Sequence, residues 1–399
     1  MPARPAGPRD VAASGRLKHF LLLATLLIAA ALFLPSSAAM AADASAIERD
    51  LVVSVQGEEK RAGIDEALEL LNVPSASIAL IDEGRIAFAR AYGKDASPET
   101  LYQVASLSKF VAAIGAMRLV ENGTLKLDED VNERLTSWKV PGNSFDTVHK
   151  VTLRGLLSMT GGIGVPGFIG YEVGAPLPTL TRILDGAPPA NSPPVTVIAV
   201  PGSAYHYSGG GYEIAEALMQ DATGKPFPQL MRELVLDPMG MTDSSFDQPP
   251  DAAMATRAAS GHLGDGKELP GRWHIFPEHA AASLWSTPTD LAKLLVQLAH
   301  TWQGFSSIFL HRQTLEEILT RQNGGPYGLG AAVAGDGASL VLMKRGQNIG
   351  YQGYLILYPA TGQGLVVMTN SDNGSKLAEA LIKRAAAAYD WPDLPPLAD

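Results

Sequence analysis

The 399-residue chain contains no cysteine and fewer basic than acidic side chains. The absence of cysteine excludes thiol nucleophiles, cysteine-based metal sites and disulfides, so the fold must be stabilised by its own hydrophobic core. A chain of this size can bury such a core. The 31 Lys and Arg against 41 Asp and Glu give a net charge of −10. This balance argues against nucleic acid as a partner, because binding a phosphate backbone needs a basic surface.

Two kinds of catalytic motif are also missing. The eight histidines show no H-x-H or H-E-x-x-H spacing, and Pro277 would interrupt a helix that placed His274 and His279 together. We therefore predict that both histidines are ordinary surface or loop residues and that the protein uses no metal and no cofactor. No serine lies in G-x-S-x-G, so the nucleophile elbow of α/β-hydrolases is absent.

The first 41 residues have the pattern of a signal peptide. Basic residues up to Lys18 precede a mostly apolar run over 20–34, and the small residues of Ala39-Met40-Ala41 follow. A basic start, an apolar core and an A-x-A-like site are typical of secretory signals. A helix over the apolar run spans about 22 Å, short of the roughly 30 Å hydrocarbon core of a membrane. We predict a cleaved signal over residues 1–41 and a secreted or periplasmic protein; a retained membrane anchor running to Ala42 is the alternative.

Ser106 and Lys109 form the most informative motif of the chain. The serine lies one helical turn before the lysine, at the start of an apolar helix predicted over residues 109–121. Residues three apart share a helix face, so the hydroxyl and the amine can touch. A neighbouring lysine is one of the few ways to make an alcohol nucleophilic near neutral pH without a histidine. The S-x-x-K spacing is also the first element of the penicillin-recognising serine enzymes; a helix N-cap serine followed by a solvated lysine is the structural alternative.

Hydrophobic patterns divide the rest of the chain into three parts. A helix and a β-hairpin come first, helices dominate the middle, and strands return before a last helix; the terminal elements are predicted over residues 64–71, 75–81, 85–92, 329–333, 339–343, 353–358, 364–369 and 376–389. Strands at both ends predict one sheet assembled from the two termini, with a helical lobe inserted between its parts. We place the sheet lobe at about residues 50–104 and 325–399, and the helical lobe at about 105–324. A cleft between two lobes is a favoured place for a small-molecule site.

Further segments extend the motif into an ordered series. Residues 117–128 are similar to a helix exit, residues 151–162 to a "T-L-R-x-L-L-x-x-T-S-G" segment, and residues 284–291 to a "G-L-x-S-T-x-x-D-L" segment. Together with Ser106-Leu107-Ser108-Lys109, the series resembles the serine β-lactamase/penicillin-binding protein superfamily, specifically its class C branch. That branch also holds D-Ala-D-Ala carboxypeptidases, D-aminopeptidases and esterases. The resemblance implies an α+β, β-lactamase/transpeptidase-like fold for residues 43–399: an antiparallel sheet built from both chain ends, flanking helices and an inserted, mostly helical lobe.

The resemblance also implies roles for residues far from the serine. Tyr207, in Tyr-Ser-Gly where the family has Tyr-x-Asn, would accept and return the proton of Ser106. Lowering a tyrosine pKa from near 10 to about 7 requires roughly 4 kcal/mol, which two ammonium groups at about 4 Å can supply. Lys344, in Lys-Arg-Gly where the family has Lys-Thr-Gly or His-x-Gly, would be the second ammonium and would bind any substrate carboxylate.

The remaining implied positions concern the substrate. Gly346 would let the substrate lie against a strand, and the backbone N–H groups of Gln347 and Ser106 would form the oxyanion hole. Gly209 stands where the family usually has an asparagine whose amide contacts the substrate. Glycine cannot make this contact, so β-lactam turnover stays open. Arg345 replaces a small hydroxyl residue and would narrow the site or bind an anion.

We interpret the chain as an exported serine hydrolase that works through an acyl-enzyme. The implied substrates are β-lactams, D-amino acid peptides or short esters, and the membrane is a partner only if the N-terminal segment is retained. The alternatives are a catalytically poor binding or scaffold protein of the cell envelope that keeps the fold, and a transpeptidase. The predicted catalytic residues are Ser106, Lys109 and Tyr207, and the predicted substrate-binding residues are Lys344, Gly346, Gln347 and Gly209.

Overall fold

A computed structural model of the chain describes residues 44–397, and the predicted signal peptide over 1–41 lies outside them. The strands are β1 (Leu51–Val55), β2 (Glu58–Ala62), β3 (Ser75–Asp82), β4 (Arg85–Gly93), β5 (Tyr102–Gln103), β6 (Tyr171–Glu172), β7 (His274–Ile275), β8 (Trp285–Ser286), β9 (Ala332–Ala334), β10 (Val341–Asn348), β11 (Tyr351–Tyr358) and β12 (Gln363–Thr369). Among the described residues, no helix combines the length and the apolar character needed to cross a bilayer.

The helices cluster in the middle of the chain. They are α1 (Ala44–Glu48), α2 (Ile64–Leu71), α3 (Leu107–Glu121), α4 (Val131–Arg134), α5 (Leu153–Leu157), α6 (Leu180–Asp185), α7 (Gly209–Thr223), α8 (Phe227–Met231, continued by a π-helical turn over Arg232–Leu236), α9 (Ala252–Arg257), α10 (His279–Ala282), α11 (Pro288–Gln303), α12 (Arg312–Ile318) and α13 (Gly374–Ala388).

The main sheet combines strands from both parts of the sequence. Its six strands run in the order β4-β3-β12-β11-β10-β9, and every neighbouring pair is antiparallel. The predicted α+β fold, with an antiparallel sheet from both chain ends and flanking helices, is confirmed. The exact lobe boundaries, and the start of the domain at residue 43, stay predictions.

The central strand β11 shows how the sheet is covered on both faces. All of its residues are buried, and successive side chains point to opposite faces. Leu355 and Leu357 belong to a large apolar cluster that contains α3 and α11, whereas Tyr354 and Ile356 pack in a second cluster with α2 and α13. Helices therefore cover both faces of the sheet, which explains why the strand has no polar side.

Helix α3 is the buried axis of the helical part. Twelve of its fifteen residues are buried, including Lys109 near its first turn, and a helix that is apolar all round is typical of a core position. A Cβ at Gly115 would lie 2.6 Å from the sulfur of Met231, so neighbouring chain packs directly against the helix backbone. The surrounding core fixes the N-terminus of α3 next to strand β10, where the sequence motif places Ser106.

Two terminal elements differ from the predicted pattern. The β1–β2 hairpin was not predicted. Strand β2 is Glu-Glu-Lys-Arg-Ala and is exposed except at its last residue, so its sequence lacks the apolar alternation that indicates a strand. Its turn places Gln56 and Gly57 at φ 52 and 88, as a two-residue hairpin turn requires. The strand predicted over 329–333 begins only at Ala332, because Gly330 has φ 106, and a Cβ there would lie 2.6 Å from that of Ala113 in α3.

Candidate active site

Ser106 lies at a sharp turn from strand to helix. Strand β5 pairs with β8, the chain continues through Val104, whose N–H donates to the Leu284 carbonyl at 3.0 Å, and α3 begins directly after Ser106. Ala105 has φ 52, a left-handed conformation that costs a non-glycine residue of order 1 kcal/mol. The surrounding hydrogen bonds hold this strained residue and present the Ser106 hydroxyl at the end of the helix.

Lys109 contacts the serine from within the core. Its ammonium donates to Ser106 Oγ at 3.0 Å and to the carbonyl of Ala281 at 2.8 Å, and the side chain is only 1% exposed. Burial lowers the pKa of Lys109, although the neighbouring Tyr207 opposes this effect. The amine is thus fixed by one backbone acceptor and aimed at the hydroxyl.

Tyr207 joins both lysines at the serine. Its hydroxyl accepts from Lys344 Nζ at 3.3 Å, and the ammonium groups of Lys109 and Lys344 lie 5.4 and 4.9 Å from its ring centroid. Burial alone would raise the pKa of Tyr207, but the charges of Lys109 and Lys344 and a hydrogen bond from the Ser106 hydroxyl lower it to about 8. The phenol is therefore poised to exchange a proton near neutral pH.

Strand β10 closes the site on its other side. Lys344 is fully buried, and a Cβ at Gly346 would lie 2.3 Å from the Val104 carbonyl oxygen and 3.1 Å from the Ser106 nitrogen. Only glycine lets the strand approach the serine loop this closely. Gln347 is exposed and lines the open cleft beside Ser106.

Tyr327 is a member of this cluster that sequence reasoning missed. Its hydroxyl accepts from Lys344 Nζ at 2.9 Å, and its ring lies 6.4 Å from that of Tyr207, edge to face. It is 1% exposed and comes from the turn before β9. The sequence signal that could have identified Tyr327 is its position as a large aromatic residue within the glycine-rich segment 324–330.

A buried group of carboxyls behind Lys109 was also missed. Glu213 of α7 accepts from the Ala281 N–H at 3.1 Å, and the carbonyl of the same Ala281 holds Lys109. Glu278 is fully buried with both carboxyl oxygens unpaired, and burial raises its pKa to about 8. Burial, reinforced by neighbouring carboxyls, also raises the pKa of Glu213. Two buried carboxyl groups with raised pKa values, those of Glu213 and Glu278, therefore lie near the lysine.

His274 and His279 were predicted to be surface or loop residues, but both are half-buried and lie in short secondary-structure elements. His279 begins α10, and its Nδ1 lies 3.0 Å from Glu216 Oε1. His274 lies in β7, which pairs with β6, and its Nδ1 donates to the carbonyl of Ile169 at 2.9 Å. Over residues 44–397, no group of three histidine or acidic side chains has the geometry to hold a metal ion.

The cleft in front of Ser106 has a volume of about 870 Å³. One wall is the segment 166–169, which contains Pro166, Phe168 and Ile169. Gly209 is buried beneath this segment. Its predicted role in substrate binding stays a prediction. The other residues that line the cleft are Ser106, Tyr207, His274, Arg345, Gln347, Asn348, Ile349 and Asp372. His274 lies next to the 166–169 segment, because its Nδ1 donates to the Ile169 carbonyl.

The antiparallel sheet flanked by helices matches the β-lactamase/transpeptidase-like folds. The sequence model of the Beta-lactamase family matches residues 62–390. The chain therefore belongs to this family, and the predicted membership of the serine β-lactamase/penicillin-binding protein superfamily is confirmed.

Relatives share this fold at low identity. Protein flp of Staphylococcus aureus (strain N315) is 25% identical over 343 residues, which cover 80% of this chain and 64% of that protein. An octameric penicillin-binding protein homologue from Pyrococcus abyssi superposes with a TM-score of 0.65 at 24% identity over 81% of this chain and 75% of that chain. The D-amino acid amidase of Ochrobactrum anthropi SV3 superposes with a TM-score of 0.64 at 22% identity over 82% and 96%. Identities this low establish the fold and leave the substrate to be argued from the site.

Proposed function

We propose that this member of the Beta-lactamase family is a serine hydrolase whose acyl-enzyme forms on Ser106. One observation carries the proposal: the buried ammonium of Lys109 donates to Ser106 Oγ at 3.0 Å and lies 5.4 Å from the ring centroid of Tyr207, whose hydroxyl accepts from the buried ammonium of Lys344 at 3.3 Å. The positive charges of Lys109 and Lys344 stabilise the phenolate form of Tyr207. The phenolate, and not either lysine, then accepts the proton that Ser106 loses. The arrangement is that of an activated nucleophile with its base and an orienting group.

In the first half of the reaction, Ser106 Oγ attacks the carbonyl carbon while its proton passes to Tyr207. Lys109 orients the hydroxyl from below and keeps positive charge beside the developing negative charge. The backbone N–H groups of Ser106 and Gln347 receive the oxyanion. When the tetrahedral intermediate collapses, Tyr207 gives its proton to the departing oxygen or nitrogen, so the leaving group departs neutral.

In the second half, water occupies the place of the leaving group. Tyr207, again a phenolate, takes a proton from this water as its oxygen attacks the acyl carbon. The second intermediate collapses, the Ser106 oxygen recovers the proton from Tyr207, and a carboxylic acid leaves. The candidate acyl donors are β-lactams, D-amino acid peptides or amides, and esters, consistent with the D-amino acid amidase and the penicillin-binding protein among the relatives.

Turnover by a matched pair of serine variants tests this proposal. We expect the wild type to hydrolyse at least one of nitrocefin, p-nitrophenyl butyrate and a D-Ala-D-Ala peptide, and Ser106→Ala to lose at least about a thousandfold of that activity. Ser203→Ala, a change at an exposed serine, should retain it. Full activity in Ser106→Ala would reject this nucleophile. No turnover by the wild type and no labelling by an acylating probe would favour the scaffold alternative.

Export is a separate part of the proposal, supported by the basic, apolar and small-residue pattern of residues 1–41. We expect the protein purified from its native envelope fraction to begin after Ala41 or Ala42. An intact N-terminus in a membrane fraction would instead support the retained anchor.

A further inference from the structure

Beside the nucleophile, the cleft has a wall that carries no charged side chain. Pro166, Phe168 and Ile169 form this apolar wall. Ile169 is 70% exposed, and Phe168 is half-buried and packs on the main core. An exposed apolar surface inside a reactive cleft is typical of a ligand contact rather than of a solvated loop.

The wall is held rigidly by backbone contacts with α7. The Gly209 and Gly210 N–H groups donate to the carbonyls of Pro166 and Val165 at 3.0 and 2.9 Å, and Ser208 Oγ donates to that of Gly164 at 2.7 Å. These contacts tie the wall to the segment that carries Tyr207. A surface fixed before substrate arrives binds at lower entropic cost.

Gly209 is the residue that allows this arrangement. A Cβ there would lie 3.0 Å from Phe168 Cε2, 3.2 Å from the Pro166 carbonyl oxygen and 3.3 Å from Gly167 Cα. The space that a larger residue 209 would occupy is therefore filled by the aromatic ring. An amide side chain at this point would have to displace Phe168.

Charge decides which part of a substrate faces this wall. Negative charge develops on the leaving atom, which departs beside the Tyr207 hydroxyl and the Lys344 ammonium, 3.3 Å apart. Arg345, the next residue on β10, also lines the cleft. The apolar wall offers no polar group to a leaving atom on which negative charge develops in the transition state, whereas the acyl group stays attached to Ser106 through both halves of the reaction and gains from a lasting apolar contact.

We propose that Pro166, Phe168 and Ile169 form an acyl-binding site, so that the protein prefers esters or amides of apolar acyl groups. This inference rests on the proposed function and adds the substrate class. Under this proposal, Phe168 is a residue that determines the specificity for the acyl group.

Two ester series separate the acyl group from the leaving group. The first is p-nitrophenyl acetate, butyrate and hexanoate; the second is ethyl, butyl and hexyl acetate. Burying one methylene is worth a factor of about two to four in kcat/KM, depending on how much of it leaves water. We therefore expect kcat/KM to rise about four- to sixteenfold from acetate to butyrate in the first series, and less than about twofold between successive members of the second.

Variants of the wall should flatten the first series. In Phe168→Ala and, independently, in Ile169→Ser, the gain from acetate to butyrate should fall below about twofold, because the added methylenes no longer leave water against the wall. Ile169 is a surface residue, so its variant remains informative if Phe168→Ala fails to fold. Phe305→Ala removes a phenylalanine that is 77% exposed and lies outside the cleft, and it should leave the series unchanged.

The possible failures are distinguishable. If the wild type hydrolyses esters but shows no preference for longer acyl groups, or shows the preference in the alcohol series instead, the acyl-site inference is wrong and the proposed function stands. The inference is also wrong if the wall variants keep the full preference. If the wild type hydrolyses no ester and no acylating probe labels Ser106, the proposed function itself fails.

Discussion

Replacing Lys344 by methionine isolates the charge that keeps Tyr207 acidic. The Lys344 ammonium lies 3.3 Å from the Tyr207 hydroxyl oxygen. At that separation and an effective dielectric of about 20, a phenolate and an ammonium attract by about 5 kcal/mol, or roughly 3 to 4 pKa units. Removing the ammonium should therefore raise the pKa of Tyr207 from about 8 to above 10, because burial also disfavours the phenolate.

The predicted consequence is a loss of activity that high pH partly restores. With a pKa of about 8, about 9% of Tyr207 is ionised at pH 7; with a pKa above about 10, less than about 0.1% is ionised. We expect kcat/KM for p-nitrophenyl butyrate at pH 7 to fall about a hundredfold in Lys344→Met, and the rising limb of the pH profile to move up by two units or more.

The matched control is Tyr327→Phe, which removes a hydrogen bond to Lys344 but leaves its charge. Its pH profile should keep a midpoint near 8. The reasoning about Tyr207 is refuted if Lys344→Met retains a midpoint near 8, or if both variants shift the profile equally.

Two further predictions concern stability and close approach. Burial raises the pKa of Glu278 from 4.5 to about 8, so the native state keeps a proton that the unfolded chain has released, and stability should fall as the pH rises between these values, by up to about 5 kcal/mol. In urea unfolding, Glu278→Gln should be as stable as the wild type at pH 4.5 and more stable than the wild type at pH 8. If the variant and the wild type differ in their free energy of unfolding by the same amount at both pH values, the prediction is contradicted. Gly346→Ala should lower kcat about a hundredfold, because its Cβ would lie 2.3 Å from the Val104 carbonyl oxygen and must displace the strand or the serine loop. Gly63→Ala, with its nearest contact at 3.8 Å, is the control, and wild-type activity in Gly346→Ala would exclude a tight approach.

Local spacing predicted the part of the site that lies within one helix. Ser106 and Lys109 are three residues apart, so helix geometry alone brings the hydroxyl and the ammonium together, and the structure places them 3.0 Å apart. Tyr207 and Lys344 came from resemblance, because no spacing rule connects residues so distant along the chain. The structure brings both to Ser106, while their catalytic roles remain for experiment.

The missed residues share a physical reason. Glu213 and Glu216 are three apart on α7, a spacing that indicates a solvated helix face in sequence, yet both side chains are buried. Their burial depends on α10, whose backbone N–H groups bind them. Phe168 lies in a loop whose path depends on the absence of a side chain at Gly209. Such contacts arise only when distant segments pack, so hydrophobic periodicity cannot predict them.

Burying two lysines beside one serine is costly, and the site shows how the cost is limited. Lys109 is held by the Ala281 carbonyl and Lys344 by the hydroxyls of Tyr207 and Tyr327, so each ammonium has acceptors in place of water. When Tyr207 ionises, one negative charge is stabilised by both cations. The same burial that destabilises the lysines therefore strengthens their action on the phenol.

Peptide mapping of a covalent adduct tests the central claim most directly. After a fluorophosphonate probe is added to the full-length protein, tandem mass spectrometry should find one phosphonylated residue, Ser106, and labelling should slow by at least about a hundredfold in Tyr207→Phe. An adduct on another side chain, or equally fast labelling without the phenol, would contradict an account in which Tyr207 and two buried lysines activate this serine.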